Sequence, residues 1–171
     1  RISVDLSRES TQRVELVPGG ELALLGAPSS GDLRVSEVLA DYGARARVLL
    51  AEYLPKTEPR RYLYDLVADY PNRGGRAMRP SLCLATARAF GGSLERALFT
   101  AVSIELFHNA LLIHDDIEDE SDMRRGKPTM HALHGVPMAV NVGDTLTLLS
   151  LRPLFDNART LGPRLTMRIV E

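Results

Sequence analysis

The segment "LERALFTAVSIELFHNALLIHDDIEDESDMRRGKPTMH", residues 94–131, decides how the rest of the chain is read. Ser93 stands before it as a helix N-cap, and Glu95 falls in the first turn, where a carboxylate suits the positive end of the helix dipole. From there the residues are apolar on most sides of a helical wheel, which marks a central, buried element. The helix is expected to run from about Leu94 to Asp119. It then ends in carboxylates, although acidic side chains are disfavoured at a helix C-terminus. An ordinary solvated helix end does not explain them.

Helical signals continue on both sides. "VSEVLADYGARARVLLAEYL" puts Val35, Val38, Leu39, Tyr42, Ala46, Leu49 and Tyr53 near one stripe, and Pro55 stops it. "PRRYLYDLVADYP" predicts a shorter helix ending before Pro71. "NRGGRAMRP" reads as a basic, glycine-containing turn, and "SLCLATARAFGG" as a helix stopped by two glycines. Beyond "TMHALHG", Pro137 suits the first turn of a helix through "MAVNVGDTLTLLSLRPLF", with a kink or break at Pro153. "PRLTMRIVE" starts one more helix, with no cap or stop signal after it. Period-two runs rich in β-branched and aromatic residues are absent, so no strand is expected. Residues 1–34, with "VPGGELALLGAPSSGD", read as a loosely ordered N-terminal extension and residues 35–171 as the helical domain. The fold class is therefore all-α.

On the central helix, a rotation of ~100° per residue puts Asp115, Asp116 and Asp119 within an arc of about 100°. Asp115 and Asp119 lie one turn apart. Like charges this close repel unless a cation sits between them. Hard oxygen ligands with open positions suit Mg²⁺, which binds through one or two carboxylates and keeps other sites for water and phosphate. Glu118 falls outside the arc. Back along the same face lie Leu112, Leu111, His108, Glu105 and Ile104: a largely apolar wall, with His108 two turns from Asp115 at nearly the same angle. His114 borders the cluster, and spacing alone gives it no role.

Two basic clusters flank this face. Arg124 and Arg125 follow the carboxylates beside Gly126, and guanidinium groups suit bidentate recognition of phosphate oxygens. Arg73, Arg76 and Arg79 surround Gly74 and Gly75, whose missing side chains let the backbone approach an anion closely. Neither cluster follows a P-loop or dinucleotide-binding pattern. Together they point to two phosphate-bearing ligands beside a long apolar cavity.

The composition is that of a soluble globular domain, with 44% hydrophobic and 25% charged residues. A net charge of -1 offers no global field for nucleic acid or an anionic membrane. The single cysteine, Cys83, reads as a small core residue and fits a reducing compartment. No apolar run approaches the ~20 residues of a membrane span, so a cytoplasmic protein without stable membrane insertion is expected.

The order "GGRAMRP", then "ELFHNALLIHDDIEDESDMRRGKPTMH", then "NVGDTL", from Gly74 to Leu146, resembles the trans-isoprenyl diphosphate synthases of the polyprenyl synthetase family. The resemblance implies a bundle of long antiparallel helices around a central cavity, the isoprenoid synthase fold. It implies Mg²⁺ held by Asp115, Asp116 and Asp119, the same carboxylates and Arg124 serving catalysis, and Arg124 on the allylic diphosphate. Gly75, Arg76, Arg79, His108 and Arg125 would hold isopentenyl diphosphate, Arg76 standing where the family usually has lysine. The implied reaction is condensation of isopentenyl diphosphate with an allylic prenyl diphosphate by a homodimer. The family's chain-length floor falls at Leu111 and Ala110, and neither is aromatic, so a product of twenty carbons or longer is expected. The family's second aspartate-rich motif has no counterpart after Thr147. The chain is thus expected to be a truncated, N-terminal half that is incomplete by itself. A class I terpene cyclase and a non-catalytic regulatory subunit are the rival readings. The isopentenyl-site residues weigh against the first, and the intact first aspartate cluster against the second.

Overall fold

The computed structural model describes residues 35–171, together with the backbone of residues 15–16 and 22–23. Its described residues form an all-α bundle: α1 (Val35–Tyr53), α2 (Asp65–Asn72), α3 (Met78–Ala89), α4 (Leu94–Glu118), α5 (Met130–His134), α6 (Val136–Leu161) and α7 (Pro163–Val170). Two short antiparallel ladders accompany them, β1 (Glu15–Leu16) with β2 (Leu22–Ala23) and β3 (Met123–Arg124) with β4 (Lys127–Pro128). Apart from β1 and β2, the extension expected over residues 1–34 lies outside the described residues.

α4 is the central element. Leu106, Ala110 and Ile113 are fully buried, and the helix packs against α6, α3 and α1. Each buried leucine or isoleucine contributes about 1.5–3 kcal/mol by leaving water. α4 and α6 run antiparallel, because opposite ends meet. Near the C-terminal end of α4, the His114 ring lies against Gly143 of α6, where an added Cβ would stand 2.5 Å from Nε2. Near its N-terminal end, Asn157 Nδ2 of α6 donates to the Arg96 carbonyl at 3.1 Å and to Thr100 Oγ1 at 3.2 Å. Ser93 caps α4 as expected, its Oγ accepting from the Arg96 amide at 3.4 Å. By length and composition alone α4 is long and apolar enough to cross a membrane, a test that the core helix of a globular bundle also passes. Here its buried side packs into the bundle. Cys83 is half-buried against the core, and burial pushes its thiol pKa up.

Several boundaries differ from the sequence reading. The amphipathic stripe of α1 is buried only from Gly43 onward, while Val35 is 67% exposed. Pro71 does not end α2 but sits in its last turn, and a π-helical turn, Arg60–Tyr64, leads into that helix. α3 begins at Met78, so Arg79 and Pro80 are helical rather than part of the turn. α6 continues through Pro153 to Leu161. The β3–β4 hairpin was not expected, because two-residue strands carry no measurable alternation. Its loop is Arg125-Gly126, with φ +54° and +74°, and two positive φ values are what a two-residue type I′ turn requires.

Candidate functional site

The end of α4 divides the three carboxylates. Asp116 continues the buried face and is fully buried, Asp115 is half-exposed, and Asp119 is the exposed C-cap, its amide bonded to the Asp115 carbonyl at 2.8 Å. The chain then turns into the hairpin, which brings Arg124 back over the helix. Arg124 Nε and Nη2 donate to Asp116 Oδ1 at 2.8 and 2.5 Å, and Nη2 also reaches Asp115 Oδ2 at 3.0 Å. The bond to Asp116 is the main cause that raises the guanidinium pKa above its ordinary value.

Asp116 Oδ2 has its own partner, the Tyr70 hydroxyl of α2. That hydroxyl in turn accepts the Met130 amide at 3.3 Å. Burial, then the bond to Asp116, push the phenol pKa up to about 12. The Arg73 guanidinium, whose side chain is 1% exposed, stacks on the Tyr70 ring 4.3 Å from its centroid. It pairs with Asp69 at 2.6 Å and donates to the Arg124 carbonyl at 3.2 Å.

Arg125, the next residue along the hairpin, sends its side chain the other way. Its Nη1 donates to the Gly74 carbonyl, and its guanidinium covers Gly75 so closely that an added Cβ would sit 3.0 Å from Cζ. Gly75 also has φ +139°, a conformation that L side chains rarely adopt. Arg47 of α1 donates to the Gly75 carbonyl at 3.3 Å. A cavity of about 170 Å³ behind this loop is lined by Arg47, Leu50, Gly74, Gly75, Ala77 and Glu105. Arg79 Nη1 lies 2.9 Å from His108 Nε2. Arginine has no acceptor, so Nε2 must accept and the proton of a neutral ring sits on Nδ1. Burial first, then Arg79, Arg125 and Arg124, hold the His108 pKa below 6.5. Burial raises the pKa of Glu105, against the pull of Arg125, Arg79 and Arg47. Arg76 is exposed at the end of the glycine turn.

The structure thus joins Arg124 to Asp115 and Asp116, Arg125 to the Gly74-Gly75 loop, and Arg79 to His108. It does not gather the three carboxylates: among the described residues, no three acidic or histidine side chains stand close enough to share a metal ion. The donors facing solvent are Asp115 and Asp119, and hard oxygens one turn apart fit a cation that keeps much of its hydration. Below them Ile104, Phe107 and Leu111 form an exposed apolar strip, whereas Ala110 is fully buried. Tyr70, Arg47 and Phe107 were not singled out from sequence. For Phe107 the signal was present, one turn before Leu111.

The central helix of the bundle thus ends in carboxylates, with two arginine sets beside an exposed apolar strip. Residues 60–167 match the family model for polyprenyl synthetase, and the chain belongs to that family. It is 40% identical over 112 residues to the geranylgeranyl pyrophosphate synthase of Geoglobus acetivorans, covering 66% of this chain and 35% of that protein. With the geranylgeranyl diphosphate synthase of Cyanophora paradoxa it shares 32% identity, over 77% of this chain and 46% of the relative. Among solved structures, an FPP/GFPP synthase from Zymomonas mobilis superposes with a TM-score of 0.70 at 34% identity, covering 77% of this chain and 49% of that one. The chain thus spans between a third and a half of the length of these relatives.

Proposed function

We propose that the protein is a Mg²⁺-dependent prenyltransferase that condenses isopentenyl diphosphate with an allylic prenyl diphosphate, giving an all-trans product of twenty carbons or longer. Residues 35–171 would supply the first half of its helical domain, with residues 1–34 as an extension. The observation that carries this reading is the divergence of Arg124 and Arg125. Two consecutive guanidinium groups serve two different places, one at the carboxylates and one at the glycine loop, as two diphosphates lying side by side would need. The names of the relatives support the product length.

Asp115 and Asp119 would hold Mg²⁺, with Asp116 anchoring Arg124 beside them. When bound, the metal supplies neutralisation of diphosphate charge. Arg124 donates to the allylic diphosphate, which stabilises the negative charge that grows as the C1–O bond breaks and its electron pair leaves with the diphosphate. Gly75, Arg76, Arg79, His108 and Arg125 fix isopentenyl diphosphate so that its C4 faces the allylic C1. The new carbon–carbon bond takes the electron pair of the isopentenyl double bond, and loss of a proton restores a double bond. Ile104, Phe107 and Leu111 line the path of the apolar tail and exclude water. We place the protein in the cytoplasm, without stable membrane insertion or nucleic-acid partners, and as a homodimer. Exposed Val140, Leu148 and Phe155 on α6 support the last assignment.

The test is incubation of the complete gene product with isopentenyl diphosphate, an allylic diphosphate and Mg²⁺, followed by sizing of the product. Linear diphosphates of twenty carbons or more are expected. A cyclic hydrocarbon made from a single allylic diphosphate would assign a cyclase instead.

A further inference from the structure

Tyr70 lies on α2, which contributes none of the diphosphate contacts assigned above, yet it is joined to them through buried bonds. Its side chain is 1% exposed, and its hydroxyl donates to the inner oxygen of Asp116 while accepting the amide of Met130 at the start of α5. This fixes the Asp116 carboxylate in one orientation, with Oδ1 turned towards Arg124. Just past α2, at its C-cap, Arg73 stacks on the Tyr70 ring and donates to the backbone carbonyl of Arg124. Arg124 is therefore held twice from α2 and its C-cap: at its carbonyl by Arg73, and at its guanidinium by Tyr70 acting through Asp116. Nε and Nη2 carry the bonds to the carboxylates, so the Nη1 hydrogens remain for an incoming anion.

We propose that Tyr70 is a positioning residue for the allylic diphosphate: its hydroxyl sets Asp116, and Asp116 sets the Arg124 guanidinium. The inference rests on the two-substrate reading above and adds to it a residue that touches neither substrate. Without the hydroxyl, Asp116 loses the partner of one buried oxygen and is held only by its bonds to Arg124. Arg124 then meets the anion from several orientations instead of one. The isopentenyl site, gathered on Gly75, Arg79, His108 and Arg125, has no bond to Tyr70 and should not sense the change.

The experiment compares Tyr70→Phe with the parent in the complete gene product. Loss of one hydrogen bond to a charged group predicts a rise of roughly tenfold or more in KM for the allylic diphosphate, with KM for isopentenyl diphosphate within about twofold. Binding of a non-reactive S-thiolo analogue of the allylic diphosphate, measured without turnover, should weaken by the same factor. In an Arg124→Ala background the Tyr70→Phe change should add almost nothing, because its route is already cut. Arg73→Met, which frees the Arg124 carbonyl, should shift the same KM in the same direction. Equal effects on both substrates, an unchanged analogue affinity, or full additivity with Arg124→Ala would overturn the proposal. So would failure of both variants to fold, since the bonds would then be structural only. A parent protein that makes no prenyl product would defeat the two-substrate reading, while the analogue-binding comparison would still judge Tyr70.

Discussion

Gly143→Ala puts a methyl group where α6 meets the His114 ring of α4. The new Cβ would stand 2.5 Å from His114 Nε2, 2.9 Å from Cε1 and 3.1 Å from Cδ2. Carbon contacts settle near 3.5–4.0 Å, so the ring must withdraw by about 1 Å. The His114 side chain is 30% exposed and can move, at the loss of its 3.5 Å contact with Asp144. Replacing a helical glycine by alanine stabilises by about 0.5–1 kcal/mol, whereas forcing an extra methyl group into a packed interface costs about 1–3 kcal/mol. The net expectation is a destabilisation of up to about 2.5 kcal/mol. In a His114→Ala background the obstruction is gone, so the same substitution should stabilise by about 0.5–1 kcal/mol. Urea denaturation of the four proteins of this cycle, followed by far-ultraviolet circular dichroism, gives the coupling directly. If Gly143→Ala stabilised the protein equally with and without the imidazole, the steric account of this helix contact would be refuted.

Other expectations concern the site itself. Asp115→Ala and Asp119→Ala should each lower turnover by about two or more orders of magnitude, since both carboxylates face the proposed metal position; steady-state rates at saturating Mg²⁺ and both substrates test this, and undiminished turnover would remove the metal assignment. Leu111→Phe, on the exposed apolar strip, should shorten the product, as read by chromatography of the dephosphorylated alcohols. Ala110→Phe should instead destabilise the fold by roughly 1–3 kcal/mol or more, because Ala110 is fully buried. His108 carries a pH dependence. Its folded pKa lies below 6.5, so above that value both states are neutral and it contributes nothing. As pH falls through 6.5 the unfolded state gains a proton that the folded state refuses, and stability drops. His108→Gln keeps an acceptor for Arg79 and should flatten the loss of stability between neutral and mildly acid pH.

The sequence made α4 and its carboxylate end legible for one physical reason: a single helical period relates every residue on that face, so angular placement follows from counting. The same counting did not reveal the surroundings of Asp116. Its angle was correct, but whether a side chain near the edge of an arc faces solvent depends on a neighbour, and that neighbour is Tyr70, 46 positions earlier in the chain. The basic clusters were legible as composition and illegible as geometry. Arg73 read as one more cation of the glycine turn, whereas its pairing with Asp69 and its contact with the Arg124 carbonyl make it an internal strut. The β3–β4 hairpin escaped because Lys127 and Pro128 are poor strand formers, and the turn geometry that defines it depends on a positive φ at an arginine. Pro71 and Pro153 misled for the opposite reason. Proline is a breaker by local propensity, and here packing of the surrounding helix overrides it.

The hairpin also acts as a ruler. Arg124 and Arg125 are joined by a single peptide, so their Cα atoms are held about 3.8 Å apart, and the turn throws their side chains to opposite sides. In the proposed two-substrate site, the gap between the head groups would thereby be graduated in whole residues. One inserted residue would lengthen it by about 3.3 Å, more than a reacting carbon pair tolerates. Hairpin side chains other than Arg124, Arg125 and Gly126 can vary in size or charge and leave the spacing intact. A change in loop length cannot, so those other positions should accept substitution far more readily than the hairpin accepts insertion.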